Sequence, residues 1–162
     1  MASQIMTLVG VLLGALTSFV AASMAERARF RRTLATRWDE RKLDTYIEYI
    51  SCVKEEVRSA RRARAEWGRG DDNSEALQEM EAAENKRSVL FEGLLLLSDD
   101  AAAEAAHVVN QRVWDVLECT RDPESFSSDV HRERRNAAIH ALNTLHKAAR
   151  SDLTIASERS ET

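Results

Sequence analysis

The chain has 162 residues, a formal net charge of −4, five glycines, one proline and two cysteines. With so little glycine and proline, and with Ala, Leu, Glu and Arg dominant, the composition favours helices and argues against a sheet protein. The length allows one domain with a real core beyond any membrane segment.

The N-terminus carries the pattern of a membrane span. The first 25 residues contain no ionisable side chain, and the apolar run 5–24 is 20 residues long. A helix of that length spans about 30 Å, the thickness of the hydrocarbon core of a bilayer. Four arginines follow it: Arg27, Arg29, Arg31 and Arg32. Because positive charge lies only on this side, we predict a transmembrane helix over 1–25, with the N-terminus outside and the remainder on the cytoplasmic side of the inner membrane.

Two alternatives to a span remain open. Ser23-Met24-Ala25 resembles a signal-peptide cleavage site, which would release a secreted soluble helical bundle. The absence of basic residues before the apolar run, and the arginines after it, argue against cleavage. The run could also be a buried helix of a soluble bundle, although core helices seldom extend so far without a charge.

A row of small residues repeats every four positions in the predicted span. It consists of Gly10, Gly14, Ser18 and Ala22. Small side chains let two helix backbones approach closely, so the row predicts helix–helix association and a possible homodimer. The alternative is that these residues simply face lipid.

Charge is distributed unevenly along the chain. Residues 1–69 hold 13 basic and 8 acidic side chains, whereas 70–162 hold 10 and 19. The four arginines are therefore expected to contact anionic membrane lipids, unless they serve only to fix orientation. Residues 26–42, of which ten are charged, are predicted to form a helical stalk. One apolar stripe on it, Phe30, Leu34 and Trp38, would face headgroups or another chain.

Helix breaks divide the cytoplasmic part into four helices. The predicted boundaries are a turn at 68–73, a cap at Asn73 or Ser74, a helix end at Leu97, a cap at 98–100, a helix end near Cys119, and a connection over 120–128 containing Pro123. The bundle is assigned to 43–153 and a disordered tail to 154–162.

Apolar residues spaced three to four apart mark the expected core face of each helix. They are Leu43, Tyr46, Ile50, Val53, Val57 and Ala60; Leu77, Met80, Ala83, Leu90, Leu94 and Leu97; Ala102, Ala106, Val109, Val113 and Val116; and Ala138, Leu142, Leu145 and Ala149. Short connections make neighbouring helices antiparallel. The predicted fold is all-α: an N-terminal transmembrane helix runs into a long cytoplasmic helix, which packs with three others as an up-down antiparallel bundle.

No combination of residues points to catalysis or to a cofactor. Glu104 and His107 form one Glu-x-x-His, but a di-iron bundle needs a second such motif, which this chain lacks. His140 and His146 lie on different helix faces, and His131 is expected in an exposed turn. With no phosphate loop, GxSxG elbow or zinc-type cluster, we predict no enzyme activity; a helical metalloenzyme using Glu104 and His107 is the alternative.

The two cysteines and one basic patch are each interpreted as structural features. Cys52 and Cys119 have no CxxC pattern and are predicted to be reduced and structural. A basic patch near the end of the first cytoplasmic helix comprises Arg58, Arg61, Arg62 and Arg64. Glutamates are interleaved with it and the distal part is acidic, so we expect a solvated helix face and no nucleic-acid binding.

The string Arg-Trp-Asp-Glu-Arg-Lys-Leu at 37–43, followed by Tyr46 and Tyr49, is similar to one in small uncharacterised actinobacterial single-pass membrane proteins with a cytoplasmic helical domain. Leu-Leu-Ser-Asp at 96–99, Trp114 and the segment 148–153 resemble the same proteins. The resemblance covers nearly the full length and implies this architecture, with no assigned activity or cofactor. We therefore expect a membrane-anchored, non-enzymatic interaction or scaffold protein that binds itself or an unknown protein partner.

Overall fold

The computed structural model describes the backbone of residues 2–160 and the side chains of Glu26 and of residues 37–154. Over that backbone the chain forms four α-helices: α1 (Ala2–Arg69), α2 (Ser74–Leu97), α3 (Asp100–Arg121) and α4 (Ser128–Ser160). The chain divides into two compact units, Met1–Trp38 and Asp39–Thr162. The predicted all-α fold with four helices is confirmed for this part of the chain.

Gly70 ends α1. Its φ of 76° lies in the left-handed region that glycine adopts without a steric penalty. The amide of Gly70 donates to the carbonyl of Trp67, and that of Asp71 donates to the carbonyl of Glu66, both at 3.0 Å. These are the two bonds of a Schellman motif, which satisfies carbonyls at the end of a helix. The predicted turn after Trp67 is therefore present, two residues later than expected.

Aspartates cap the next two helices. Asp99 Oδ1 accepts a hydrogen bond from the amide of Ala102 at 2.8 Å, so the predicted cap of α3 is confirmed. At α2, Asp72 Oδ1 accepts from the amide of Ser74 at 3.0 Å. Asn73 instead donates from Nδ2 to the carbonyl of Ala63, at 3.3 Å. Asn73 occupies the predicted N-cap position of α2, but its side chain makes no capping bond, and the preceding carboxylate of Asp72 reaches the first helical amide instead.

Contacts between helices show that sequence neighbours run antiparallel, since residues early in one helix meet residues late in the other. The contact pairs are Tyr49–Phe91 and Arg62–Glu79 for α1 and α2; Phe91–His107 and Glu84–Arg121 for α2 and α3; Asp115–Arg134 and Thr120–His131 for α3 and α4; and Tyr46–Asp152 for α4 and α1. Each helix therefore packs against the next, and α4 returns to α1. This is the expected helical bundle.

The core follows the predicted faces of α3 and α4, whose regularly spaced apolar residues from Ala102 to Ala149 are all buried. On α1 the core face is rotated relative to the prediction. Leu43 is 44% exposed, whereas Tyr49 and Cys52 are buried. The expectation that Leu43 lies in the core was wrong, because the face centred on Tyr46, Tyr49 and Val53 points inward and Leu43 lies on its flank.

The ends of the bundle differ in detail from the predicted 43–153. The compact unit begins at Asp39, and α4 remains helical to Ser160. Within the part whose side chains are described, no helix is long and apolar enough to cross a membrane. The predicted span 1–25 lies outside that part, as do the four membrane-proximal arginines.

Candidate functional site

A groove of about 400 Å³ lies between α1 and α4 on the surface of the bundle. Its walls include five apolar side chains: Val53, Val57, Ala138, Ile139 and Leu142. Four cations line it as well: Lys54, Arg58, Arg61 and Arg135. We call this set of nine residues the α1/α4 groove. Ile139 is 47% exposed, so apolar surface is presented to solvent beside the cations.

The four cations of the α1/α4 groove form no ion pair with any side chain that the structure describes. The Nε of Arg135 is buried and also has no hydrogen-bond partner there. Four like charges gathered on two adjacent helices repel one another, and only water and salt screen them. The groove is therefore a cationic surface whose charges are balanced by no ion pair within the described bundle.

Two other grooves of the bundle differ in charge. The groove between α1 and α2 has Glu55 and Glu79 among its lining residues, and Arg62 pairs with Glu79 at 2.6 Å. The groove between α3 and α4 has Glu104 and Glu133 beside Arg112. Both therefore mix the two signs, as ordinary solvated surfaces do. The α1/α4 groove contrasts with them because no carboxylate lines it among the described side chains.

The predicted basic patch is divided by the fold. Arg62 pairs with Glu79 on α2, and Arg64 is buried. Arg64 donates from Nη1 to the carbonyl of Pro123 at 2.7 Å and from Nη2 to the carbonyl of Phe126. Arg64 thereby holds the connection between α3 and α4 against α1. Only Arg58 and Arg61 remain free for a ligand, and the interpretation as one solvated face is wrong for Arg64.

A second group of charges lies inside the bundle. Arg87 donates from Nε to Glu56 Oε2 at 2.6 Å, and the two side chains are 1% and 0% exposed. Three buried polar atoms nearby in the core have no partner in the described structure: Tyr49 Oη, Glu56 Oε1 and Arg87 Nη2. Burying a charge is unfavourable unless it is paired and fully hydrogen-bonded. This pair is held by a single bond, so its net contribution to stability is small.

Burial raises the pKa of Glu56 to about 7, although Arg87 acts in the opposite direction. Burial also raises the pKa of the Tyr49 hydroxyl, which keeps the phenol neutral. Glu56 is thus a core carboxyl that changes charge near neutral pH. Glu56 is not among the residues that line the three grooves described above.

Asp152 joins three elements at one end of the bundle. Its carboxylate accepts from Lys42 Nζ and from the Tyr46 hydroxyl, each at 2.6 Å, and from the amide of Asp99 at 3.3 Å. Burial, followed by the bond to Asp152, raises the pKa of Tyr46. All these contacts are to groups of the bundle itself. The arrangement therefore has the character of a structural clamp between α1, α4 and the turn before α3.

His131 is buried, so its expected exposure in a turn was wrong. The Thr120 hydroxyl donates to the carbonyl of Val116 at 2.8 Å and lies 3.3 Å from His131 Nε2. Because the single hydroxyl proton is used there, the imidazole donates from Nε2 to the threonine oxygen. Burial, with Arg64 and Arg135 nearby, lowers the pKa of His131 and keeps it neutral.

Glu104 and His107 are both exposed on α3. His107 packs edge-on against the Phe91 ring at 5.0 Å, which gives it a packing role. No group of three or more potential metal ligands occurs among the described residues. Cys52 and Cys119 are free and buried, and burial raises the pKa of both thiols. Cys52 donates to the carbonyl of Ala83 at 3.2 Å.

No family model, curated protein or solved structure matches this chain. By its fold the described chain is a bundle of four helices, and it carries a cationic groove between α1 and α4.

Proposed function

We propose that this chain is a membrane-anchored, non-enzymatic interaction protein whose bundle binds another protein chain through the α1/α4 groove. The anchor is the predicted helix 1–25, with Arg27, Arg29, Arg31 and Arg32 holding the following segment at the anionic inner leaflet. The groove is the observation that carries the proposal. It combines the exposed side chain of Ile139 and the half-buried Val57 with four cations that lack ion-pair partners in the described bundle.

Three physical reasons favour a binding site at this groove over an ordinary solvent-exposed surface. An apolar centre bordered by charges resembles the core and rim of protein interfaces. Cations that repel one another in the free protein gain most when a partner supplies carboxylates, which increases both association rate and specificity. Arginine contributes further because its planar guanidinium forms paired hydrogen bonds with carboxylates.

Membrane anchoring is tested on the full chain in its native cells. We expect membranes washed with alkaline carbonate to retain the protein, and a reporter fused after Thr162 to be active in the cytoplasm. An intact mass lacking the first 25 residues would instead support the secreted bundle. Recovery of the uncleaved chain in the soluble fraction without detergent would contradict anchoring.

The binding role is tested with a photoreactive residue at Ile139, in the groove. A matched control carries it at Val108 on α3, which is 37% exposed. We expect light to link the Ile139 variant to another protein chain, and this adduct to disappear with Arg58→Glu and Arg61→Glu. Equal adducts at both positions, or none at Ile139, would contradict the proposal.

A further inference from the structure

We propose that the partner of the α1/α4 groove is a second copy of this chain, which inserts the outer face of its α2. This inference rests on the proposed function and names its partner. It follows from two surface strips, one on α1 and one on α2, that are complementary in spacing, apolar character and charge.

The α1 strip includes four residues of the groove and extends from it toward the N-terminal end of α1. Its positions alternate four and three residues apart: Leu43, Ile47, Ile50, Lys54, Val57 and Arg61, with Arg58 alongside. They lie on one side of the helix over about 27 Å. Leu43 and Ile47 are 44% and 53% exposed. The strip is therefore apolar toward its N-terminal end and cationic toward its C-terminal end.

The α2 strip has the same spacing on the face turned away from the core. Its positions are Glu75, Gln78, Ala82, Asn85, Val89, Glu92 and Leu96, with Glu81 alongside. Val89 and Leu96 are 74% and 86% exposed. Glu75, Glu81 and Glu92 form no ion pair with any described side chain. This strip is acidic toward its N-terminal end and apolar toward its C-terminal end, the reverse of the α1 strip.

Alternating spacings of three and four are those of helices that pack along a shared seam. If the strips run antiparallel with Leu43 opposite Leu96, the apolar pairs Ile50–Val89 and Val57–Ala82 follow from the spacing. The same register sets Lys54 and Arg61 opposite the amides Asn85 and Gln78, with Arg58 beside Glu81 and Arg61 within a turn of Glu75. Ile47 opposite Glu92 is the one mismatched layer. Apolar side chains thus meet apolar ones, and cations meet polar or acidic ones, along the rest of the register.

Charge alone would also fit an anionic lipid surface. A lipid surface at the groove, however, would leave Val89 and Leu96 exposed on the outer face of α2, whereas a second copy covers them. Because groove and α2 strip are different surfaces, the contact is heterologous. Each pairing leaves one groove and one α2 strip free, so further copies add, as a closed ring if the rotation between copies closes and as an open filament if it does not.

The test uses two differently tagged full-length copies in one membrane. One carries Leu43→Cys and the other Leu96→Cys, and mild oxidation should join the two tags by a 43–96 disulfide. The control pairs Leu43→Cys with Val108→Cys, which should give at least about tenfold less product. Placing the cysteines on separate copies excludes a bond within one chain, and Cys52 and Cys119 are buried. Equal yield from both pairs, or no product from the first, overturns the proposal.

A second test reverses the charges on both sides of the proposed contact. Arg58→Glu with Arg61→Glu on the Leu43→Cys copy should reduce cross-linking about tenfold, and Glu75→Lys with Glu81→Lys on the other copy should restore it to within about twofold. Reversing Arg112 and Arg132, which lie on exposed faces of α3 and α4, should change nothing. Loss without restoration overturns the proposal, because the groove then recognises another acidic group.

The two proposals fail differently. If the Ile139 photoadduct forms with a protein other than this chain and no 43–96 disulfide appears, the inference fails while the proposed function stands. If lipid alone is captured at Ile139, both fail.

Discussion

Glu56 and Arg87 place opposite charges in the core of the bundle, and each retains one buried polar atom without a partner in the described structure. A buried pair of this kind contributes little net stability, yet removal of one member leaves an isolated charge. The pair matters most through its response to pH.

The first prediction concerns the stability of the bundle between pH 4.5 and 7.5. The pKa of Glu56 is raised from 4.5 in the unfolded chain to about 7 in the fold. The folded state then binds the proton more tightly, so this group stabilises fully below pH 4.5 and loses that contribution as pH rises through 7. Glu56→Gln stays neutral. The unfolding free energy of wild type relative to Glu56→Gln should fall by on the order of 3 kcal/mol over this range.

Chemical denaturation of the detergent-solubilised full chain at several pH values measures this difference. Glu118→Gln, an exposed carboxyl paired with Arg134, serves as the control and should show no such slope. A relative stability of wild type that rises with pH would show that Arg87 keeps Glu56 ionised throughout.

Sequence could not reveal this pair. Glu56 stands among the glutamates that interleave the basic patch, where a solvated position is the ordinary expectation. Its spacing of three and four from Val53 and Ala60 places it on the core face, but the arginine that compensates it belongs to another helix. Lys54 and Arg135 were missed for the same reason, since the α1/α4 groove assembles only when two distant segments pack.

At the scale of elements, the end of α1 depends on one backbone conformation. Gly70 has a positive φ, and a Cβ added there would meet no atom within 4 Å. The penalty of Gly70→Ala is therefore conformational alone, about 1 kcal/mol. Gly68→Ala lies inside the helix with equally open surroundings and should be neutral or stabilising by about 0.5–1 kcal/mol. Thermal unfolding of both variants measures these changes in stability. Equal changes would show that the backbone at position 70 leaves the left-handed conformation when alanine replaces glycine.

The clamp at Asp152 gives the next prediction. Asp152→Asn cannot receive all three hydrogen bonds with the same charge assistance, and it leaves Lys42 without its partner. We expect a loss of about 2–4 kcal/mol in unfolding free energy. Asp129→Asn removes an exposed pair with Arg132 and should change stability by less than about 0.5 kcal/mol. Denaturant titration compares them, and similar losses would contradict the structural role of the clamp.

The cap of α3 and the core faces of α3 and α4 were predictable because a capping residue and a single apolar stripe agree there. The C-terminal end of α4 lies seven residues beyond the predicted Leu153. On α1 two stripes compete. Leu43, Ile50 and Val57 satisfy the helical spacing as well as Tyr46, Tyr49 and Val53 do, and only the positions of α2 and α4 decide which faces inward. The rotated face leaves Leu43 on the surface, where the proposed contact with a second copy would use it.

At the scale of the whole molecule, two independent surfaces are proposed for self-association: the small-residue row of the predicted span and the α1/α4 groove. In the Arg58→Glu/Arg61→Glu background, which removes the groove contact, Gly10→Leu with Gly14→Leu should prevent close helix packing and reduce lysine-cross-linked dimer in membranes several-fold. Val11→Leu with Ala15→Leu, on a different side of the predicted helix, is the control. A dimer that persists unchanged in the first variant would show that this row is not a contact. With the groove arginines intact, the 43–96 disulfide should survive either change in the span.

The buried thiols of Cys52 and Cys119 can report how often the bundle opens in its native membrane. Since both are free, buried and held in the protonated form, an alkylating reagent can reach them only when the helices separate. The rate at which iodoacetamide alkylates this chain in native membranes would then follow how often the bundle opens, without purification or added dye.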